Sequence, residues 1–282
     1  MNPHPSSPAE TDPDRVIPRE GWHVIHLFFH VEQAQWSLFS DEEKLEAKTN
    51  LAELVQEIRS TESTQLLTFS MVTPKSDIGF MLLTDDLHKA NRFEKQLCRA
   101  LGPDVLTPVY SYLSMTELSE YTTTEEQYAA DLTRDEGIAA GSPAMEAKLE
   151  EFRKRMKKYN SDRLYPNMPD WPVFCFYPMS KRRSGSHNWF HLDYETRRTL
   201  MGGHARVGRG YAGRVRQLIT GSTGLDEWEW GVTLFSHNTQ DIKEIVYEMR
   251  FDEVSTRFGE FGPFFVGLIM DPADVLERSG LK

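Results

Sequence analysis

Thr64-Gln-Leu-Leu-Thr-Phe-Ser-Met71, Pro74-Lys75-Ser76 and Ile78-Gly-Phe-Met-Leu-Leu83 read as two strands about a turn. Each run is rich in apolar and β-forming residues without internal breakers, and the Pro-Lys-Ser step turns the chain between them. Helices flank the pair. Ser40 caps one that continues through about Ser60, with Leu51, Leu54, Val55 and Ile58 at helical spacing and Leu45 fitting less well. Asp85 or Asp86 opens another to Leu101, with Ala90, Phe93, Leu97 and Leu101 on one stripe, and Gly102-Pro103 ends it. Outside these lie strands at Trp22–His30 (WHVIHLFFH) and Val105–Met115. The order is β-α-β-β-α-β.

The second half repeats that order. Trp171–Tyr177 (WPVFCFY) is a buried strand closed by Pro178, and Asp193 caps a helix to about Val207, ended by Gly208. Strands Gly213–Thr220 and Trp228–Phe235 flank the turn Gly221-Ser-Thr-Gly224. Asn238 or Thr239 caps a helix with Ile242, Ile245, Val246 and Met249 spaced i, i+3, i+4, i+7, and Pro263–Ile269 is the last strand. Two ferredoxin-like β-α-β-β-α-β domains are therefore expected. Each sheet has helices on one face, so an α+β barrel in which the two sheets cover each other is the predicted fold. The divisions are a disordered tail over 1–20, an N-terminal ferredoxin-like domain over 21–118, a charged linker over 119–170 with a helix at 143–159, a C-terminal ferredoxin-like domain over 171–270, and a C-terminal tail over 271–282.

The chain has 282 residues, 39% of them hydrophobic and 27% charged, which is a globular composition. Two cysteines, Cys98 and Cys175, exclude a disulfide framework and a multi-cysteine metal cluster. No apolar run approaches the roughly 20 residues that span a bilayer, and the first residues lack the pattern of a secretion signal. A cytoplasmic protein without a membrane partner is expected. The net charge of −11 argues against nucleic-acid binding. Between Lys148 and Arg216, however, 16 Lys+Arg stand against 6 Asp+Glu. That points to an anionic ligand held locally, although the run Arg153–Lys158 reads more simply as a solvated helix face.

Several residues stand out chemically. His204 shares the apolar helix face with Leu200, Met201 and Val207; it is either a hydrogen-bonded core residue or the single protein ligand of a haem. Gln217 alternates with Val215 and Ile219, so a polar amide sits among apolar neighbours and must find a backbone or ligand partner. Tyr177 and Lys181, where the chain is expected to leave the sheet at Pro178, can face one anion together. Arg250 falls in the last turn of its helix, where the dipole favours a cation, with Ser255 just beyond. His23 lies on the opposite strand face from His26 and His30, which disfavours a three-histidine metal site.

The stretches Phe176-Tyr-Pro-Met-Ser-Lys-Arg-Arg183, Asn188-Trp-Phe190, His204 with Gly208-Arg209, Gly213 to Gln217, Gly221-Ser-Thr-Gly-Leu-Asp226, Glu229-Trp-Gly-Val-Thr-Leu-Phe235 and Val246-Tyr-Glu-Met-Arg-Phe-Asp-Glu-Val-Ser255 resemble the coproheme decarboxylases of the chlorite dismutase-like superfamily. The likeness covers about residues 171–267. It implies a homopentameric haem enzyme of dimeric α+β barrel fold. Its activity would be the hydrogen peroxide-dependent decarboxylation of two propionates of iron-coproporphyrin III, giving haem b. By the same likeness His204 is the proximal iron ligand, Tyr177 the residue oxidised to a radical, and Lys181 the aid to the second decarboxylation. Gln217 holds the distal position, where chlorite dismutases carry an arginine. Met179 is a pocket residue, and Arg250, Ser255, Arg163 and Tyr112 are propionate contacts. A ferrochelatase is the implied supplier of coproheme. Phe190 stands where the family often has tyrosine, and residues 119–165 look lengthened. The competing readings are a chlorite dismutase or haem peroxidase, and a non-enzymatic haem-binding protein.

Overall fold

The computed structural model describes residues 14–282. The first half contributes β1 (His23–Val31), a one-turn helix α1 (Gln33–Trp36), α2 (Asp41–Ser60), β2 (Thr64–Met71), β3 (Ile78–Thr84), α3 (Leu87–Arg99) and β4 (Leu106–Thr116). Two linker helices follow, α4 (Glu125–Glu136) and α5 (Pro143–Leu164). The second half holds β5 (Val173–Lys181), α6 (Tyr194–Gly210), β6 (Val215–Gly221), β7 (Trp230–Ser236), α7 (Thr239–Met249), α8 (Glu253–Phe258), β8 (Gly259–Phe261), β9 (Phe265–Ile269) and α9 (Pro272–Arg278).

Each half forms an antiparallel sheet in the ferredoxin-like order, β4-β1-β3-β2 and β6-β7-β5-β9. Two short seams join them: Phe69, Ser70 and Met71 of β2 pair with Ile269, Leu268 and Gly267 of β9, and Met115 and Thr116 of β4 pair with Gly221 and Thr220 of β6. The strands therefore close into the expected barrel. Alternation along the strands sends one set of side chains inward. Val24, Phe28, Phe69, Tyr112, Phe174, Phe176, Phe235 and Phe265 fill the interior. Their rings stack closely, with centroids 3.9 Å apart for Phe69 and Phe174 and 4.2 Å for Phe28 and Phe265. The other set meets the helices. Leu51, Val55 and Ile58 of α2 and Phe93 and Leu97 of α3 cover the first sheet, and Ile242 and Ile245 of α7 cover the second.

The local signals act as the residue types require. Ser40 and Glu43 form a capping box at α2, and the side chains of Asp86 and Asn238 cap α3 and α7. His26, expected to face away from His23, is fully buried inside the barrel, stacked 4.0 Å from Phe176 and bonded through Nε2 to Thr233 Oγ1. Burial holds its pKa down at about 3, so this imidazole is neutral.

The structure corrects four boundaries. Strand β5 continues through Pro178 to Lys181: proline's fixed φ suits an extended chain, and its carbonyl still accepts the Gly262 amide at 2.9 Å. Helix α6 passes Gly208 and ends at Gly210. The linker helix expected at 143–159 extends to Leu164, and α4 precedes it with its own Thr124–Gln127 capping box. The segment 271–282 carries a docked helix, with Val275, Leu276 and Leu281 in the core over the first sheet. Of the expected tail over 1–20, residues 1–13 lie outside the described residues, while the Val16 amide bonds Asp86 Oδ1 at 3.0 Å. No helix among the described residues is long and apolar enough to cross a membrane.

Candidate functional site

Strand β5 sets out the site. Alternation places Cys175, Tyr177, Met179 and Lys181 on its outer face, and the first three pack with the residues of α6 and α7. Tyr177 is buried, its ring stacked 4.4 Å from Phe264 and tilted against Phe261 at 6.0 Å. Burial pushes the phenol's pKa well above its usual value, with a smaller opposing pull from the Arg250 guanidinium, so it keeps its proton at neutral pH. Arg250, the C-cap of α7, lies 3.6 Å over the Phe261 ring. Tyr177, Phe261, Phe264 and Arg250 thus form one group.

Lys181 is 6% exposed, and its ammonium sits 5.0 Å from the Trp189 ring centroid. Burial lowers its pKa to about 8, against the attraction of Asp252 and Glu229. The ammonium is charged at neutral pH yet close to releasing its proton.

His204 lies on α6, whose first turn is capped by Asp193. Its Nδ1 is 3.0 Å from Asp252 Oδ2. That carboxylate also accepts the amides of Val254 and Ser255 and the Ser255 hydroxyl, so it acts as the N-cap of α8. Burial opposes its ionisation, but the hydrogen bonds from His204 and Ser255 outweigh that and hold its pKa below the usual range. An ionised carboxylate only accepts, so Nδ1 carries a proton, and in the neutral imidazole the lone pair is then on Nε2. An imidazole fixed in this tautomer is a ready metal donor. No group of three or more His, Cys, Asp or Glu suited to an ion occurs among the described residues. A metal at His204 would have to bring its other ligands with it.

Gln217 takes the backbone partner that its apolar setting demands: Nε2 donates to the Gly208 carbonyl at 3.2 Å. A Cβ at Gly208 would meet that nitrogen at 3.2 Å, so the glycine lets α6 approach β6. Arg163, on the last turn of α5, donates to the Glu117 carbonyl at 2.7 Å. Arg163 and Gln217 line one cavity of about 200 Å³ together with Tyr159, Asp162 and Arg216. A second cavity of about 390 Å³, largely apolar, is lined by Cys175, Val246, Tyr247, Arg250, Phe264 and Val266. Tyr112 stands apart: it is buried in the barrel interior with its hydroxyl donating to the Trp228 carbonyl. The structure therefore groups Tyr177, Met179 and Arg250, links Lys181 electrostatically to Asp252 and through it to His204 and Ser255, sets Gln217 beside Arg163, and leaves Tyr112 on the far side of the sheet. Reasoning from sequence missed Asp252, Trp189 and Glu229. The capping pattern Asp252-Glu-Val-Ser255 was the available signal for the first.

Residues 44–270 match the family described as Chlorite dismutase. A heme-binding protein from Thermus thermophilus is 36% identical, with 94% of this chain and 97% of that chain covered at a TM-score of 0.77. A mutant chlorite dismutase from Candidatus Nitrospira defluvii shares the fold at 16% identity and a TM-score of 0.69, covering 93% of this chain and 97% of that one. A putative chlorite dismutase does so at 14% identity and 0.65, covering 92% and 98%.

Proposed function

Because the chain belongs to the chlorite dismutase family, we propose that it is a coproheme decarboxylase, which oxidatively removes two propionate carboxyl groups of iron-coproporphyrin III to give haem b. The observation that carries this reading is the row Tyr177, Met179, Lys181 on one face of β5, a buried phenol and a buried ammonium on one strand. The His204–Asp252 pair supports it, because a histidine with Nε2 free fits an iron whose other ligands come from a macrocycle. Gln217 favours this activity over chlorite dismutation, since a neutral amide holds an anionic oxidant less well than a guanidinium does.

The iron macrocycle supplies the redox chemistry with hydrogen peroxide. Each propionate –CH2CH2COOH and one peroxide become –CH=CH2, carbon dioxide and two waters, so two peroxides serve one substrate molecule. His204 would hold the iron. Tyr177, protonated at rest, would give its proton and one electron toward the reduction of peroxide, and the resulting radical would take a hydrogen atom from the propionate carbon next to the ring. The propionate radical would then give up the second electron as its carboxylate leaves as carbon dioxide, so that one peroxide takes two electrons for each vinyl group formed. Lys181 offsets the carboxylate charge and can deliver a proton, because burial has already weakened its hold on one. Arg250 and Ser255 meet propionates, and Arg163 serves one from the cavity it shares with Gln217. The Gln217–Gly208 bond must be given up for the amide to face a ligand. Peroxide as co-substrate, a homopentamer, a cytoplasmic setting and a ferrochelatase as supplier belong to the same proposal.

The test is a peroxide titration of protein loaded with iron-coproporphyrin III, followed by mass spectrometry of the porphyrin. Stepwise loss of two carboxyl groups is expected. Four intact propionates would refute the activity, and sustained oxygen release from chlorite would redirect it to chlorite dismutation.

A further inference from the structure

We propose that Glu229 is a positioning residue for Lys181: its buried carboxylate, clamped by Arg183, fixes the end of β5 through the Lys181 amide and holds a negative charge within electrostatic reach of the lysine's ammonium. The pairing of β5 with β7 ends where Met179 meets Trp230. Lys181 lies two residues further on, where β7 offers no carbonyl. Its amide donates instead to Glu229 Oε2 at 2.8 Å. Glu229 completes the stitch with its own backbone. Its amide reaches the Met179 carbonyl and the Ser180 hydroxyl, each at 3.2 Å, and its carbonyl accepts the Ser222 amide at 2.7 Å.

A neutral acceptor would satisfy the Lys181 amide equally well. Burying a carboxylate at 3% side-chain exposure is costly, and the Arg183 guanidinium, bonded to Oε1 through Nε and Nη2, offsets part of that cost. The charge therefore has a role that the backbone bond does not explain. Lys181 has no carboxylate within ion-pair distance among the described residues; the acidic groups acting on it are Asp252 of α8 and Glu229. Asp252 is already engaged by His204, Ser255 and two amides. Glu229 is the second negative charge acting on Lys181, after Asp252, with Arg183 as the cation that tempers it.

The role assigned to Lys181 rests on the proposed decarboxylation, but the test does not require turnover. The Lys181 ammonium is titrated by carbon NMR in the unloaded full chain labelled at lysine Cε, with Lys181→Met assigning its signal. Glu229→Gln keeps an acceptor for the amide and removes the charge, so the Lys181 midpoint should fall by about one pH unit. Arg183→Met uncovers the carboxylate and should raise it. An unmoved midpoint in Glu229→Gln overturns the proposal; if that variant does not fold, an unmoved midpoint in Arg183→Met does. In loaded protein the pH profile of the second decarboxylation should move with the midpoint. A chain that decarboxylates nothing would sink the activity while leaving the titration to judge Glu229.

Discussion

His204 Nδ1 and Asp252 Oδ2 lie 3.0 Å apart, and the same carboxylate caps α8 through the amides of Val254 and Ser255. The orientation of the imidazole is thereby tied to the folding of α8. Asp252→Asn keeps one acceptor but loses the charge that fixes the Nδ1 proton. Affinity for the iron macrocycle should drop about tenfold. A Soret titration measures this, and an unchanged affinity would argue that His204 needs no partner. The pH sense follows from the depressed carboxyl: its stabilising contribution is full above the unfolded value of 3.8 and is lost as pH falls through the lower folded value.

Tyr177→Phe removes the phenolic hydroxyl and little else, because the ring packs on Phe264 and the hydroxyl has no hydrogen-bond partner among the described residues. Stability should change by less than about 1 kcal/mol. Coproheme binding should persist while carbon dioxide release stops. Normal haem b yield from this variant would rule out a radical at Tyr177.

Lys181→Met replaces a buried ammonium by an apolar chain of similar length. The wild-type group has a folded pKa of about 8 against 10.5 unfolded, so the cost of burying its charge is full below pH 8 and fades as pH rises toward 10.5. The variant should be more stable at pH 7 by on the order of 2 kcal/mol and should lose the rise in stability between pH 8 and 10. Denaturant melts at several pH values measure both. In loaded protein it should accumulate the mono-decarboxylated porphyrin, and equal rates for both steps would exclude Lys181 from the second.

Gly202→Ala and Gly203→Ala add a methyl group that meets nothing within 4 Å, in a helix with no fully buried residue. Helix propensity alone then predicts about 1 kcal/mol of added stability for each in the unloaded protein. A higher melting temperature without ligand, together with weaker coproheme binding, would mean that the open space beside His204 is where the macrocycle lies. A lower melting temperature without ligand would contradict the helical setting of these glycines.

The barrel was readable in the sequence because its information is local. Capping residues at Ser40 and Asn238, the turn at Pro74 and the alternating strands each declare an element, and two equal element orders declare the pairing of halves. Pro178 misled because a proline is a breaker only where its amide would be needed, and that need is set by the neighbouring strand. The docked helix α9 was missed because its apolar residues Val275, Leu276 and Leu281 are few and acquire meaning only against α2. In the site, single residues with unusual surroundings were visible, His204 and Gln217 above all. Their partners were not: Asp252 lies 48 residues from His204, and Glu229 the same distance from Lys181. Tyr112 shows the converse. A residue matched by motif position can face the opposite side of a sheet, since one step along a strand reverses direction.

Closure of the barrel by strands from both ends of the chain bears on its synthesis. The inward rings of Phe28 and Phe69 leave the ribosome long before Phe174 and Phe265, which cover them in the finished molecule. The nascent first half must wait for all of α4 and α5 before β5 emerges. At about 5–20 residues per second, a naked aromatic sheet persists for several seconds on every ribosome making this chain. During that interval the growing polypeptide is at its most adhesive.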